Sequence, residues 1–104
     1  MGPALRIPKQ FSVAGHIIRV RYKPMRDDDG RYEDSTKTIW LHSELKKGPP
    51  SHHFQVFAHE LNHALFAHVG RDDLFEDETL VDTLAHIMVP AIEAIVVANR
   101  QRKT

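Results

Sequence analysis

The run Gly48-Pro49-Pro50 divides this chain into two stretches with different hydrophobic periods. A proline pair offers no backbone N–H and fixes φ, so no regular element continues across it. Before it, apolar residues alternate with polar ones or gather in short β-branched runs. After it, they recur at helical spacing. Strands followed by helices, in a chain of 104 residues, predict one domain of α+β class spanning residues 1–104.

Residues 1–10 hold Pro3 and Pro8 and read as an irregular arm. Phe11-Ser12-Val13 and Ile17–Tyr22 flank Ala14-Gly15, which predicts a hairpin. Val20 and Tyr22 alternate with Arg19 and Arg21, so the second strand has one wet face. Asp27-Asp28-Asp29-Gly30 reads as a turn. Thr36–Leu41 is β-branched and aromatic and reads as a third strand, with Trp40 packing on the sheet face. A small three-stranded sheet is therefore expected.

Beyond the prolines, Ser51 reads as an N-cap for a helix from His52 to His68. At about 100° per residue, Phe54, Phe57, Ala58, Leu61 and Leu65 share one face, the expected core stripe. Gly70 stands where a helix ends. An acidic loop follows, with Asp72, Asp73, Glu76 and Asp77. A second helix is predicted from Asp77 to Asn99, with the stripe Leu80, Leu84, Ile87, Ala91 and Ile95 facing the core. Pro90 predicts a kink or a break within it.

The chain has no cysteine, which excludes a cysteine nucleophile, iron–sulfur clusters and any thiolate-bound metal. It has eight histidines. Two of them stand in His59-Glu60-Leu61-Asn62-His63, an HExxH sequence in the middle of the first helix. Histidines at i and i+4 lie one turn apart on one face, so both imidazoles reach a single metal ion. Glu60 points about 100° away from His59, where it can address water on that metal without being a ligand. This is the arrangement of a general base beside a catalytic Zn²⁺. A third ligand must come from elsewhere, and Glu76, Asp77, Glu78, Asp82 and His86 are the candidates that follow. Glu78, Asp82 and His86 form one line on the second helix.

An HExxH helix followed by a helix bearing Glu78-Thr79-Leu80-Val81-Asp82 resembles the gluzincin metallopeptidases. Over residues 30–90 the strand Lys37–Leu41, the HExxH helix and Glu-x-x-x-Asp-x-Leu-Ala look like the small ImmA/IrrE-type peptidases of bacteria and phages, although Asn62 stands where that family mostly has glycine. The resemblance implies a minimal zincin-like fold. It implies Zn²⁺ held by His59, His63 and Glu78, with Glu60 as catalytic base and Asp82 supporting a ligand histidine. His86, one turn beyond Asp82, is the further candidate for such support. The implied function is hydrolysis of a peptide bond in a protein or peptide substrate, with a regulatory protein as the target the family suggests. Two other functions fit the same residues: a regulatory or binding module with a structural or degenerate zinc site, and a zinc hydrolase of a non-peptide amide.

Fourteen basic residues balance fourteen acidic ones, so no nucleic-acid partner is expected. The most apolar stretch, Leu84–Ala98, contains Pro90 and Glu93 and is not expected to span a membrane. With no signal-like opening, the expectation is a cytoplasmic monomer. The strand Ile39-Trp40-Leu41 is expected to offer an edge to which an extended peptide can add.

Overall fold

The structure, a computed structural model, describes residues 6–101. Residues 1–5, half of the arm expected over residues 1–10, and the basic residues Arg102 and Lys103 lie outside them. The element order is β1 (Gln10–Val13), β2 (His16–Lys23), β3 (Gly30–Glu33), β4 (Thr38–His42), a 3₁₀ turn (Ser43–Lys47), α1 (Pro50–His68), α2 (Asp72–Phe75) and α3 (Glu78–Gln101). The fold is α+β, with the helices on one side of a mixed sheet.

The β1–β2 hairpin forms where the sequence places it. Ala14 and Gly15 take φ of 49° and 82°, the two successive positive values that a two-residue turn between twisted strands requires. The sheet, however, has four strands in the order β1-β2-β4-β3, not three. The additional strand, β3, begins at the end of the acidic turn and pairs antiparallel with β4. It has only four residues, of which Tyr32 alone is a large apolar one, so no alternation marks it in the sequence. Because β4 pairs with β2 in parallel and with β3 on its other side, it is an interior strand. The edge expected at Ile39-Trp40-Leu41 belongs instead to β3.

One face of the sheet packs on α1. Ile18, Val20, Tyr32, Ile39 and Leu41 meet Leu45, Phe57 and Ala64 there, and burial of each large aliphatic is worth about 1.5–3 kcal/mol. The other face is open and cationic, with Arg19, Arg21, Lys23 and Arg31 exposed. Trp40 lies on it under the Lys23 ammonium, 4.4 Å from the ring centroid, as sheet-face packing.

Helix α1 starts two residues earlier than the Ser51 cap predicts. Pro49 is the N-cap and Pro50 the first helical residue, a position where a missing N–H costs nothing. It ends at Gly70, whose φ is 70°. The Gly70 N–H donates to the Ala67 carbonyl and the Arg71 N–H to the Phe66 carbonyl, the paired bonds of a Schellman close. The chain then turns through α2 into α3, which Asp77 caps by accepting a hydrogen bond from the Leu80 N–H at 3.0 Å.

Two expectations about the helices are corrected. Helix α3 runs unbroken through Pro90. Pro90 and His86, the residue whose carbonyl loses its partner, both lie on the exposed side, where water can satisfy that carbonyl. The inward line of α3 is Val81, Ala85 and Val89, not the predicted stripe; Ala85 and Val89 pack on Ala58 and Phe54 of α1, while Ile87 and Ile95 face outward. By length and composition Glu78–Arg100 is apolar enough to cross a membrane.

Candidate metal centre

Helix α1 is enclosed on most sides, and that decides what its polar residues experience. The sheet covers Phe57 and Ala64, and α3 covers Ala58. Between these contacts Glu60, Asn62 and His63 are buried as well, at 7%, 5% and 8% exposure, whereas Leu65 of the expected core stripe is on the surface. Asn62 is not a neutral replacement for glycine. Its side-chain N–H donates to the buried Val81 carbonyl at 3.2 Å and ties α1 to the first turns of α3. Nothing in the sequence marks it, since its partner is a backbone atom 19 residues away.

That tie sets Glu78 opposite the histidine pair. Its Oε1 lies 3.2 Å from His59 Nε2 and 3.0 Å from His63 Nε2, and its Oε2 lies 3.1 Å from His63 Nε2. One donor atom from each of the three residues falls within 4.8 Å of the others. An ion with bonds of about 2.0–2.1 Å and tetrahedral angles spaces its ligand atoms by roughly 3.3 Å. The donor set, two imidazoles and a carboxylate, therefore fits Zn²⁺ in both chemistry and spacing. Glu76 and Asp77, the other early candidates, sit in the turn and at the cap.

Asp82, one turn further along α3, places Oδ1 3.1 Å from His59 Nδ1. It thereby fixes the ring whose other nitrogen faces Glu78. His86 stands behind it, with Nδ1 2.9 Å from the Asp82 carbonyl and 3.3 Å from its Oδ2. The two histidines are not treated alike, for His63 Nδ1 is buried without a hydrogen-bond partner. The His63 ring instead packs against Phe75 of α2, 5.0 Å between centroids, which the sequence reading passed over as loop.

Glu60 Oε2 lies 4.0 Å from His59 Nε2. Burial pushes its carboxyl up to about 7; His59 and a Tyr32 backbone hydrogen bond act against that, while the negative charges of Glu78 and Asp28 add to it. The start of β3 lies directly against this side chain. A Cβ on Gly30 would stand 2.9 Å from Val56 Cγ1 and 3.0 Å from Glu60 Cγ, so only glycine lets the strand pass so close. Cavities of about 370 and 350 Å³ open on either side, the first toward His52 and Asp29, the second toward Tyr32 and Phe75. Glu60 and Glu78 line both.

The remaining histidines lie apart from this group. His52 is exposed at the cavity wall, 3.7 Å from Asp29. His53 Nε2 is hydrogen-bonded with the Tyr22 hydroxyl at 2.8 Å, and burial lowers its pKa. His68 has a buried Nε2 with no hydrogen-bond partner among the described residues, and its ring lies 5.0 Å from that of His16. A larger cavity of about 570 Å³ lies beside the C-terminal half of β2, beyond its pairing with β1, among Arg21, Tyr22, Trp40 and Lys46, and is lined by no His, Asp or Glu. No protein-family model matches the chain, and neither the curated proteins nor the solved structures contain a significant match to it.

Proposed function

We propose that the protein is a zinc-dependent peptidase on a minimal zincin-like fold, with Zn²⁺ held by His59, His63 and Glu78. The observation that carries this reading is the pairing of the three-donor group with a buried, unliganded carboxylate, Glu60, 4.0 Å from one of the donors. A structural metal site has no use for such a neighbour, because a buried carboxylate is costly unless it does chemistry.

A bound zinc ion would act as a Lewis acid toward water and the scissile carbonyl. The chain's own residues supply the proton transfers. Glu60, buried beside the donors with Oε2 4.0 Å from His59 Nε2, is the carboxylate placed to take a proton from water at the centre. The same carboxyl can then hand that proton to the departing amine. Asp82 holds His59 by Nδ1, keeping Nε2 directed at the centre. The outer edge of β3, which starts at Gly30 above Glu60, is where an extended peptide could add as a further strand.

The test is hydrolysis of a quenched-fluorescent peptide library by zinc-loaded protein. Glu60→Gln keeps the shape but not the proton acceptor. It is expected to lower turnover by at least 10²–10⁴-fold while zinc stays bound. Native turnover in that variant would remove Glu60 from the reaction.

A further inference from the structure

The outward face of α3 carries a second pattern, independent of the metal centre. Leu80, Leu84, Ile87, Ala91, Ala94 and Ala98 are spaced alternately by four and three residues, the a/d register of a coiled-coil seam. At about 100° per residue this line lies roughly opposite the Glu78–Asp82–His86 line. Ile87 on it and Ile95 at its border are 65% and 60% exposed. Ala91, Ala94 and Ala98 are exposed too. An 18-residue window of this helix has mean hydropathy 1.8, yet only 17% of it is buried. A contiguous apolar strip of this kind on a folded surface marks an interface.

We propose that the strip is covered by the same strip of a second copy of this chain, running antiparallel about a two-fold axis near Val89. Side-chain size favours that occupant. Folding the line back on itself about residue 89 pairs Leu80 with Ala98, Leu84 with Ala94 and Ile87 with Ala91. Every layer then sets one branched side chain against one alanine, and every layer joins an a position to a d position, as antiparallel packing requires. A parallel pairing would crowd Leu80, Leu84 and Ile87 at one end and leave alanines facing alanines at the other.

Charge favours it as well. The seam positions are uncharged, whereas its start is acidic (Glu76, Asp77) and its end basic (Arg100). Antiparallel copies bring these ends together, and parallel copies would set like against like. Because the seam is on the flank away from Glu78 and Asp82, pairing leaves the metal-ligating flank open. Such a dimer is the alternative to the monomer expected from sequence. The seam from Leu80 to Ala98 is about 27 Å long, which puts the interface at the small end of the specific range and predicts dissociation on dilution.

Sedimentation equilibrium of the full chain, from low to several hundred micromolar, is expected to show the mass rising to twice that of one chain. Ile87→Lys should hold the mass at that of one chain with an unchanged circular dichroism spectrum, since Ile87 is exposed in the single chain. Ile17→Lys, at an exposed aliphatic off the seam, should leave the dimer intact. Direction is read by cross-linking, which the absence of native cysteine makes clean. Oxidising a mixture of Ile87→Cys and Ala91→Cys proteins should give cross-linked heterodimers, and each protein alone should give few. A wild-type chain that stays single at all concentrations would overturn the proposal, as would Ile87→Cys cross-linking to itself as readily as to Ala91→Cys. Wild-type protein that stays single in buffer but floats with phosphatidylcholine vesicles would overturn it in favour of a membrane surface.

Discussion

The two long helices invert each other. In α1, polar side chains are inside: Glu60, Asn62 and His63 are buried while Leu65 is exposed. In α3, apolar side chains are outside: Ile87 and Ile95 face solvent while the small line Val81, Ala85 and Val89 takes the inward place. Both departures from the simple rule have a reason. The buried polar residues of α1 have partners or a task, with Asn62 bonded to Val81 and His63 beside Glu78. The exposed apolar residues of α3 have no partner within the chain. A buried polar cluster and an exposed apolar line are the two informative departures on a folded chain.

The largest effect that would sharpen this contrast is the cost of keeping Glu60 inside. Its pKa in the folded protein, about 7, lies above the ordinary 4.5, so between those pH values the folded chain binds a proton that the unfolded chain has released. Stability of the metal-free protein therefore falls as pH rises from about 4.5 to about 7 and is level above that, by up to roughly 3 kcal/mol from this group. Chemical denaturation of wild type and Glu60→Gln across that range should show the wild type losing stability relative to the variant. Parallel curves would mean that Glu60 is not held as a strained internal acid.

The two histidines of the proposed centre offer a smaller test. Only His59 has its second nitrogen held by a carboxylate, so Asp82→Ala should weaken zinc binding by about 10–100-fold without abolishing it. Competition against a chromophoric chelator measures this. An unchanged affinity would mean that the Asp82–His59 contact orients nothing.

Much of the first half, and the grouping of His59, His63 and Glu78, was legible in the sequence. The Ala14-Gly15 turn, the alternating strand after it and the HExxH spacing are local signals, each contained within a few residues. Four features were not legible. Strand β3 is too short and polar to alternate, and it is held by pairing with β4. Asn62 acts through a backbone carbonyl on another helix. Gly30 matters because α1 lies beneath it. In α3 two apolar lines run side by side, and periodicity fixes that a helix forms without saying which line faces inward.

The smallest expected effect sharpens the other side of the comparison. At concentrations where the chain is single, Ile87→Ser should change folding stability by no more than about 0.5 kcal/mol, because the side chain is already in water. Leu41→Ala, in the fully buried sheet core, should cost about 2–5 kcal/mol under the same conditions. A large loss at Ile87 would show that the outward face of α3 is packed within one chain.

The central claim is that His59, His63 and Glu78 form one metal centre, and the most direct measurement is the zinc stoichiometry and affinity of wild type against Glu78→Ala. Wild type should bind about one zinc tightly per chain and the variant should lose that tight site, since two histidines alone leave the ion without its third protein ligand. A wild-type chain that binds no zinc, or a Glu78→Ala protein that binds it with native affinity, would show that the three residues do not form a metal centre.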